Sequence, residues 1–444
     1  MKLTRLAVAL IAVGAGHCTG AEPSPGAPQR IEVDKVWAGH PVRFALLTHG
    51  DRQFAAYYDA DRHMTVASRK VDEKDWHRVR LPEEIKWDSH NYVTMAVDDT
   101  DRLHVSGNMH VHPLVYFRTR KPLDIDTLER AAMTGAREDR VTYPSFFEGA
   151  SGELIFTYRD GSSGNGDQIH NVYDAAAKTW RRLLDAPLCS GGGKMNAYLH
   201  GPVKGPDGWF HLCWVWRDTP DCATNHDVSY ARSRDMVHWE NAAGGALELP
   251  ITVKSSGVVV DPVPPGGGVI NGCVKVGFDC QHRPVVSYHK HDAAGRTQVY
   301  NARMEDGAWK IRQASDWDYR WEFKGGGSIP FEIGVSPVGA AKDGTLLQSF
   351  SNAKCGSGTW RLDEATLKPV GMAEPERRSG MPEPLESSFP GMRVMRAEDL
   401  GKASEPDVKY FLQWETLGPN RDRPREGELP PPSTLWLVKT GAAE

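Results

Sequence analysis

Residues 106–118 read SGNMHVHPLVYFR, and DSHN at 88–91 puts His90 twenty residues ahead of His110. Imidazoles titrate near neutrality, so histidines in a strand-like run raise the prospect of proton transfer. An antiparallel hairpin brings residues equidistant from its turn opposite one another. With the turn DDTDR (98–102) centred near residue 100, His90 and His110 meet at the open end of that hairpin. The next hairpin turns at EGASGE (148–153), and by the same rule Tyr143 meets Arg159. If neighbouring hairpins share an orientation, all four side chains converge on one rim.

Such a set could carry out proton abstraction beside a carboxylate. A histidine and a tyrosine can exchange protons with a substrate, and an arginine binds a carboxylate with two parallel hydrogen bonds. In a uronic acid, neutralising the carboxylate stabilises the enolate that forms when the C5 proton leaves. An acid then protonates the departing O4, completing β-elimination with no cofactor. Taken singly, a histidine or tyrosine in a strand is more often packing, and an arginine at a strand end is usually solvated. His63, His104 and His112 fit that plainer reading. Two matched pairs in adjacent hairpins are what favour a site.

The same geometry places Asn196, Tyr198 and Arg217 at this rim from a turn near 206, and Asn271, His289 and His291 from a turn near 281. These are candidates for lining a sugar cleft. At the closed end of that last hairpin, Cys280 and His282 form a Cys-x-His pair. With His226 they could ligate a structural zinc. The competing reading is a Cys273–Cys280 disulfide, and Cys213–Cys222 is a second close pair. A structural calcium is the other metal considered, without an acidic loop that demands one.

The elements that would position these residues are strands. A unit recurs: strand, Gly/Asp-rich turn, strand, loop, strand. First turns fall at THGDR (48–52), DDTDR (98–102), EGASGE (148–153), KGPDG (204–208), FDCQHRP (278–284), KDG (342–344) and SEPD (404–407). Seven such units predict an all-β fold, a seven-bladed β-propeller of four-stranded antiparallel blades in a single domain over 22–444. The segment IEVDKVWAGHPVRFALL supplies the first blade or helps close the ring. The Pro-, Glu- and Arg-rich stretches 372–389 and 418–433 read as surface loops, and LDIDTLERAAMTGA (123–136) as the one helix. SRDMVHWE (233–240) resembles a degenerate Asp-box, a turn device of propeller glycosidases.

Bulk properties limit the partners. The 444 residues carry a formal net charge of −5 with 44 Gly, 30 Pro and 14 Trp, which does not favour whole-chain binding to nucleic acid or anionic lipid. The first residues, MKLTRLAVALIAVGAGHCTG, have a basic start and an apolar run too short to span a bilayer. They read as a cleavable signal peptide over 1–21, hence a secreted or periplasmic protein. Lipidation at Cys18 is the alternative. A monomer with no membrane span is expected.

DSHNYVTMAVD, SGNMHVHPLVYFR, VTYPSFF, YRDGSSGNG and YARSRDMVHW together resemble the BNR-type repeat family that includes propeller-fold ulvan lyases and the related rhamnose–glucuronate lyases. The resemblance covers most of the chain, most strongly about 88–300. It implies a seven-bladed propeller that cleaves an acidic, glucuronate- or iduronate-containing polysaccharide by β-elimination. It also implies acid/base roles for His90 and Tyr143, with Arg159 and His110 neutralising the carboxylate. Which of His90 and Tyr143 is the base depends on the substrate epimer. Asn91 and Asn108 are implied as further donors. Two other readings stand beside it. A propeller glycoside hydrolase would need a carboxylate pair, for which Asp88, Asp160, Asp218 and Glu332 are near the predicted rims. A glycan-binding propeller would need no acid or base.

Overall fold

The computed structural model describes residues 28–374, 385–401, 405 and 408–441. The leader predicted over 1–21, with Cys18, lies outside these residues. The described chain is all-β apart from two single-turn 3-10 helices. Its strands form seven antiparallel sheets, each built around a core of three or four consecutive strands. The first sheet shows why the pattern reads as it does. Its strand Arg52–Tyr58, RQFAAYY, is buried almost throughout, because neighbouring sheets cover both faces. Its outermost strand His77–Glu84, HRVRLPEE, is mostly exposed, and its charges and Pro82 blunt a free edge. Continuous apolar runs therefore mark inner strands, and alternating charged ones mark outer strands.

The hairpins occur where the turns predicted them. Val93–Val97 pairs with Leu103–Gly107, Val141–Glu148 with Leu154–Ser162, and Asn196–Lys204 with Phe210–Arg217. The seventh sheet holds Met392–Glu398, Lys409–Leu417 and Ser433–Thr440, and its fourth strand is Gln29–Val36 from the other end of the sequence. The segment left open between two roles thus divides. Gln29–Val36 joins the last sheet, and Ala45–His49 starts the first.

The core lies in the seams between sheets. One apolar cluster runs from the seventh sheet through the first and second to the third, with Phe54, Tyr58, Met95, Phe117, Phe156 and Trp414. Others join the third to the fourth around Trp214 and Trp216, the fourth to the fifth around Tyr230 and Tyr288, and the fifth to the sixth around Trp317 and Trp360. Side chains of this size contribute about 2–3 kcal/mol each when fully buried, so these seams hold the sheets in register.

Three expectations need revision or confirmation. No helix forms over 123–136. A 3-10 turn at Ile125–Thr127 is followed by strand Leu128–Arg130, which pairs with Tyr116–Thr119. The edge of the second sheet takes the segment before a helix can propagate. Neither close cysteine pair is bridged. Cys213 is buried in mid-strand, the Cys273 thiol points to the Ile333 carbonyl, and the Cys280 thiol points to the Gly344 carbonyl. The Asp-box forms as a folding device. Ser233 Oγ accepts from the Met236 amide, Asp235 Oδ1 accepts from the Val237 and His238 amides, and Trp239 is buried. No helix among the described residues is long and apolar enough to cross a membrane.

Candidate active site

The open end of the second hairpin carries a paired-histidine site. Continuing the Val93↔Gly107 register outward brings His90 against His110, and their rings stack with centroids 4.1 Å apart. Asp88 lies between them. Its Oδ1 accepts from the His90 amide (2.9 Å) and from His90 Nδ1 (2.7 Å), and its Oδ2 accepts from His110 Nδ1 (2.6 Å). An ionised carboxylate only accepts, so each ring donates from Nδ1, and the nitrogen it turns away from Asp88 is Nε2. Burial opposes ionisation of Asp88, but the hydrogen bonds from His110 and His90 outweigh it and hold the carboxyl far below its usual range. Burial pushes His110 down against the upward pull of Asp88, which keeps its ring neutral at pH 7.

His110 is fixed by a strand switch. His110–His112 leaves the second sheet and pairs with the third, His110 opposite Thr142 and His112 opposite Val141. Asn108 and Val111 take left-handed backbones to make the crossing, with φ of 63° and 59°. That is costly for a β-branched valine, and the bond from its amide to Thr142 Oγ1 holds it there.

Tyr143 and Arg159 also meet, though not by the simple register. Arg159 pairs with Thr142, and the ladder slips by one before Ser145. Tyr143 occupies that bulge with φ 60°, which swings its phenol over the rim. The Arg159 guanidinium lies 4.9 Å above the Tyr143 ring, and His90 lies 5.6 Å from it. Burial raises the Tyr143 hydroxyl, and Tyr198 adds to this against the opposing pull of Arg159, so the phenol keeps its proton at neutral pH. Arg159 is 2% exposed. Its Nε donates to the Gly161 carbonyl and its Nη1 to Tyr198 Oη, while Nη2 has no partner. No carboxylate among the described residues pairs with this buried cation.

His90, Tyr143 and Arg159 open onto a cavity of about 570 Å³, lined also by Tyr198, Arg43 and His170 among others, and by no Asp or Glu among the described residues; His110 stands behind His90 and is not part of its wall. The fourth sheet contributes Tyr198, whose hydroxyl is 2.7 Å from Ser163 Oγ, and Asn271 from the next loop also lines the wall. A larger depression of about 930 Å³ lies at the opposite, turn-bearing end, beside Asp98, Glu148 and Glu153. Its walls are acidic and bring together none of the residues singled out above.

Several expected lining residues face elsewhere. Arg217 stacks on Tyr198 from behind and donates to the Thr219 and Pro220 carbonyls. Asn196 supports a neighbouring turn by accepting from the Gly164 amide. Asn91 is buried under Tyr58, which donates to its carbonyl, and Asn108 donates to Glu83. His289 is wholly buried against Trp321, and burial pushes it down to about 4. His291 lies behind Gly268, where a Cβ would come within 2.4 Å of its ring. The loop 268–272 therefore covers both histidines that the hairpin rule had put at the rim.

The zinc set does not assemble. His226 is held by Asp218 and Asp227 beside the loop joining Phe210–Arg217 to Asn225–Ser233, whereas Cys280 and His282 sit in the turn between Lys275–Phe278 and Pro284–His291. Asp88, His90 and His110 are the described residues whose donor atoms could surround an ion. Their 2.6–2.7 Å contacts are N–H···O bonds. An ion held at about 2.1 Å from each ligand would spread these atoms further apart. The geometry fits a shared carboxylate, with protons in the gaps.

Two contributors escaped the sequence reading. Arg43, on the loop before the first sheet, sits 4.7 Å above the Tyr92 ring at the cavity wall. Asp422, from the loop read as surface, is 3.5 Å from His90 Nδ1. Nothing in the local sequence of either signals the site.

A profile of the BNR repeat-containing family matches residues 52–317, well over half of the chain. The long-isoform ulvan lyase of Alteromonas sp is 28% identical over 151 residues, 31% of this chain and 15% of that protein. The short isoform from Alteromonas sp. (strain LOR) is 27% identical over 155 residues, 31% of this chain and 29% of that protein. The alignments thus span under a third of the curated relatives' lengths. Among solved structures, the polysaccharide lyase Uly1 superposes with TM-score 0.60 at 14% identity, over 94% of this chain and 99% of that one. An ulvan lyase of a new polysaccharide lyase family follows with TM-score 0.58 at 13% identity, over 93% and 96%. At such identities these two show a shared fold. The chain belongs to the BNR repeat-containing family.

Proposed function

We propose that this family member is an exported polysaccharide lyase that cleaves uronate glycans by β-elimination. Its seven sheets would be the blades of one propeller acting as a monomer, with residues 1–21 removed as a leader. The observation that carries the reading is Arg159, a buried guanidinium with a free Nη2 and no carboxylate partner, beside an acid and a base. A buried unpaired cation is costly, and an anionic ligand removes the cost.

In this reading the uronate carboxylate lies against Arg159 with His110 alongside. His90 Nε2, a bare lone pair, takes the C5 proton, and the C–H electrons form the C4=C5 bond as C4–O4 breaks. The Tyr143 hydroxyl, whose proton is held tightly, gives it to O4. Asp88 stabilises the imidazolium that His90 becomes. The likeness to ulvan lyases favours a glucuronate- or iduronate-containing, ulvan-type chain, and the roles just given hold for the epimer whose C5 hydrogen faces His90 and exchange for the other. A hydrolase would need two free carboxylates, and no described carboxylate lines the cavity. Asp88 is engaged by both histidines, Asp160 by Arg137, and Asp218 by His226.

The test is ultraviolet absorbance of the conjugated alkene on incubation with ulvan and other uronate polysaccharides. Growth of that absorbance is expected. Reducing sugar released from neutral glycans with no alkene from any uronate chain would sink the proposal, and binding without either product would favour a glycan-binding module.

A further inference from the structure

The loop between Lys409–Leu417 and Ser433–Thr440 delivers one carboxylate to the back of the site. Asp422 Oδ1 accepts from His40 Nε2 (3.0 Å), the Ser89 amide (3.1 Å) and Ser89 Oγ (2.9 Å). Its Oδ2 accepts from the Ser328 amide (2.7 Å) and lies 3.5 Å from His90 Nδ1. Its side chain is 9% exposed, and its partner His40 is 1% exposed with Nδ1 unpartnered. Segments before the first sheet, before the second and before the sixth therefore converge on one residue from the seventh.

The backbone is shaped for this delivery. Arg421 and Asp422 are consecutive non-glycine residues in the left-handed region, at φ 54° and 55°. Such a pair persists only when its surroundings hold it. Arg421 does so by donating from Nη1 to the Lys324 and Gly326 carbonyls. Ser89 lies between Asp88 and His90, so holding Ser89 fixes where the His90 ring can go.

We propose that Asp422 is a positioning residue for His90, locking the Ser89 loop from the far end of the chain and adding a second negative charge against which the imidazolium forms. This rests on the lyase reading for its catalytic meaning, but the coupling of charges does not. Burial opposes ionisation of Asp422, yet the bond from His40 and the nearness of His90 hold its carboxyl far below the usual range. The groups facing His90 are Asp88 from its own loop, His110 from the strand switch, Tyr143 from the third sheet, and Asp422. Those facing Asp422 are His40, His90 and, repulsively, Asp88.

The experiment titrates His90 by NMR in the full chain, wild type against Asp422→Asn, without substrate. Losing a neighbouring anion should move the His90 titration to lower pH. On a uronate polymer the same variant should lose about 10- to 100-fold in kcat with KM within about twofold, as for groups that orient an active residue. The acidic limb of kcat/KM should move to lower pH. Asp422→Glu should restore that limb while kcat stays depressed. Unchanged His90 titration, or equal losses in thermal stability and kcat with the limb unmoved, would overturn the proposal. If Asp422→Asn does not fold, Asp422→Glu decides: wild-type kcat would overturn the positioning role. A wild-type protein that yields no alkene overturns the lyase reading instead, and the titration still judges the coupling.

Discussion

One hairpin holds two His–Asp arrangements at its two ends, and they are chemically opposite. At the closed end, His104 Nδ1 is 2.7 Å from Tyr116 Oη, and its Nε2 is 3.1 Å from Asp98 Oδ2. His104 and the Asp98 carboxyl are buried, and both ring nitrogens are occupied. The fourth sheet repeats this motif with His211, Tyr230 and Asp207. At the open end, Asp88 binds each ring only through Nδ1, and no described partner faces either Nε2. The residue types are the same. What separates the two ends is the second ring nitrogen: at the closed end it is bound by a carboxylate, and at His90 it has no described partner beside the cavity.

The contrast can be broken from either end. The largest effect belongs to the open end: Arg159→Ala and Tyr143→Phe should each cut kcat by about a hundredfold to a thousandfold while the melting temperature stays within a few degrees. Alkene formation read beside thermal unfolding checks this, and full activity in either variant would refute the assigned role. At the closed end, His104→Ala leaves Asp98 Oδ2 and Tyr116 Oη buried without their partner and opens a cavity, while Asp98 Oδ1 keeps its bonds from Thr100 and Arg102, at a cost of about 2–3 kcal/mol. Urea unfolding should show that loss, with turnover per folded molecule unchanged. A catalytic defect in that variant would erase the distinction between the two ends.

Smaller effects sharpen the picture. Arg43 is exposed at the cavity wall with no carboxylate partner among the described residues. Arg43→Ala should raise KM about threefold to tenfold and leave kcat alone, since an exposed charge contact is worth roughly 1 kcal/mol. Initial rates across substrate concentration, repeated at high salt, would show the difference shrinking. The smallest is a pH effect. His170 and His289 are buried neutral, with pKa pushed down to about 3 and about 4 from 6.5. The unfolded chain binds protons below 6.5 that the folded one refuses, so stability should fall as pH drops from 6.5 toward 4. Replacing His289 by Phe should flatten that decline in urea midpoints measured at pH 7 and 5.

The sequence was most legible where its logic is local. Equal distances from a turn located His90 opposite His110, and Tyr143 near Arg159, because hairpin register is set by the turn. The same rule failed for His289 and His291. Register says which end of a strand a residue occupies, and it is blind to a loop such as 268–272 folding over that end. The bulge at Tyr143 was also beyond it, since a one-residue slip in the ladder leaves no mark in composition. Asp88 was visible beside His90, but its position between two rings required both hairpin ends in space. Asp422 was beyond local reasoning altogether. Its partners His40, Ser89 and Ser328 lie in three remote loops.

The pairing of Gln29–Val36 with Ser433–Thr440 has a consequence for synthesis. A chain leaves the ribosome N-terminus first, at about 5–20 residues per second. The edge of Gln29–Val36 therefore stays unpaired until Ser433–Thr440 emerges. The carboxylate behind His90 arrives in that same late stretch. A product terminated before residue 422 would lack both the partner strand of Gln29–Val36 and the carboxylate that holds Ser89.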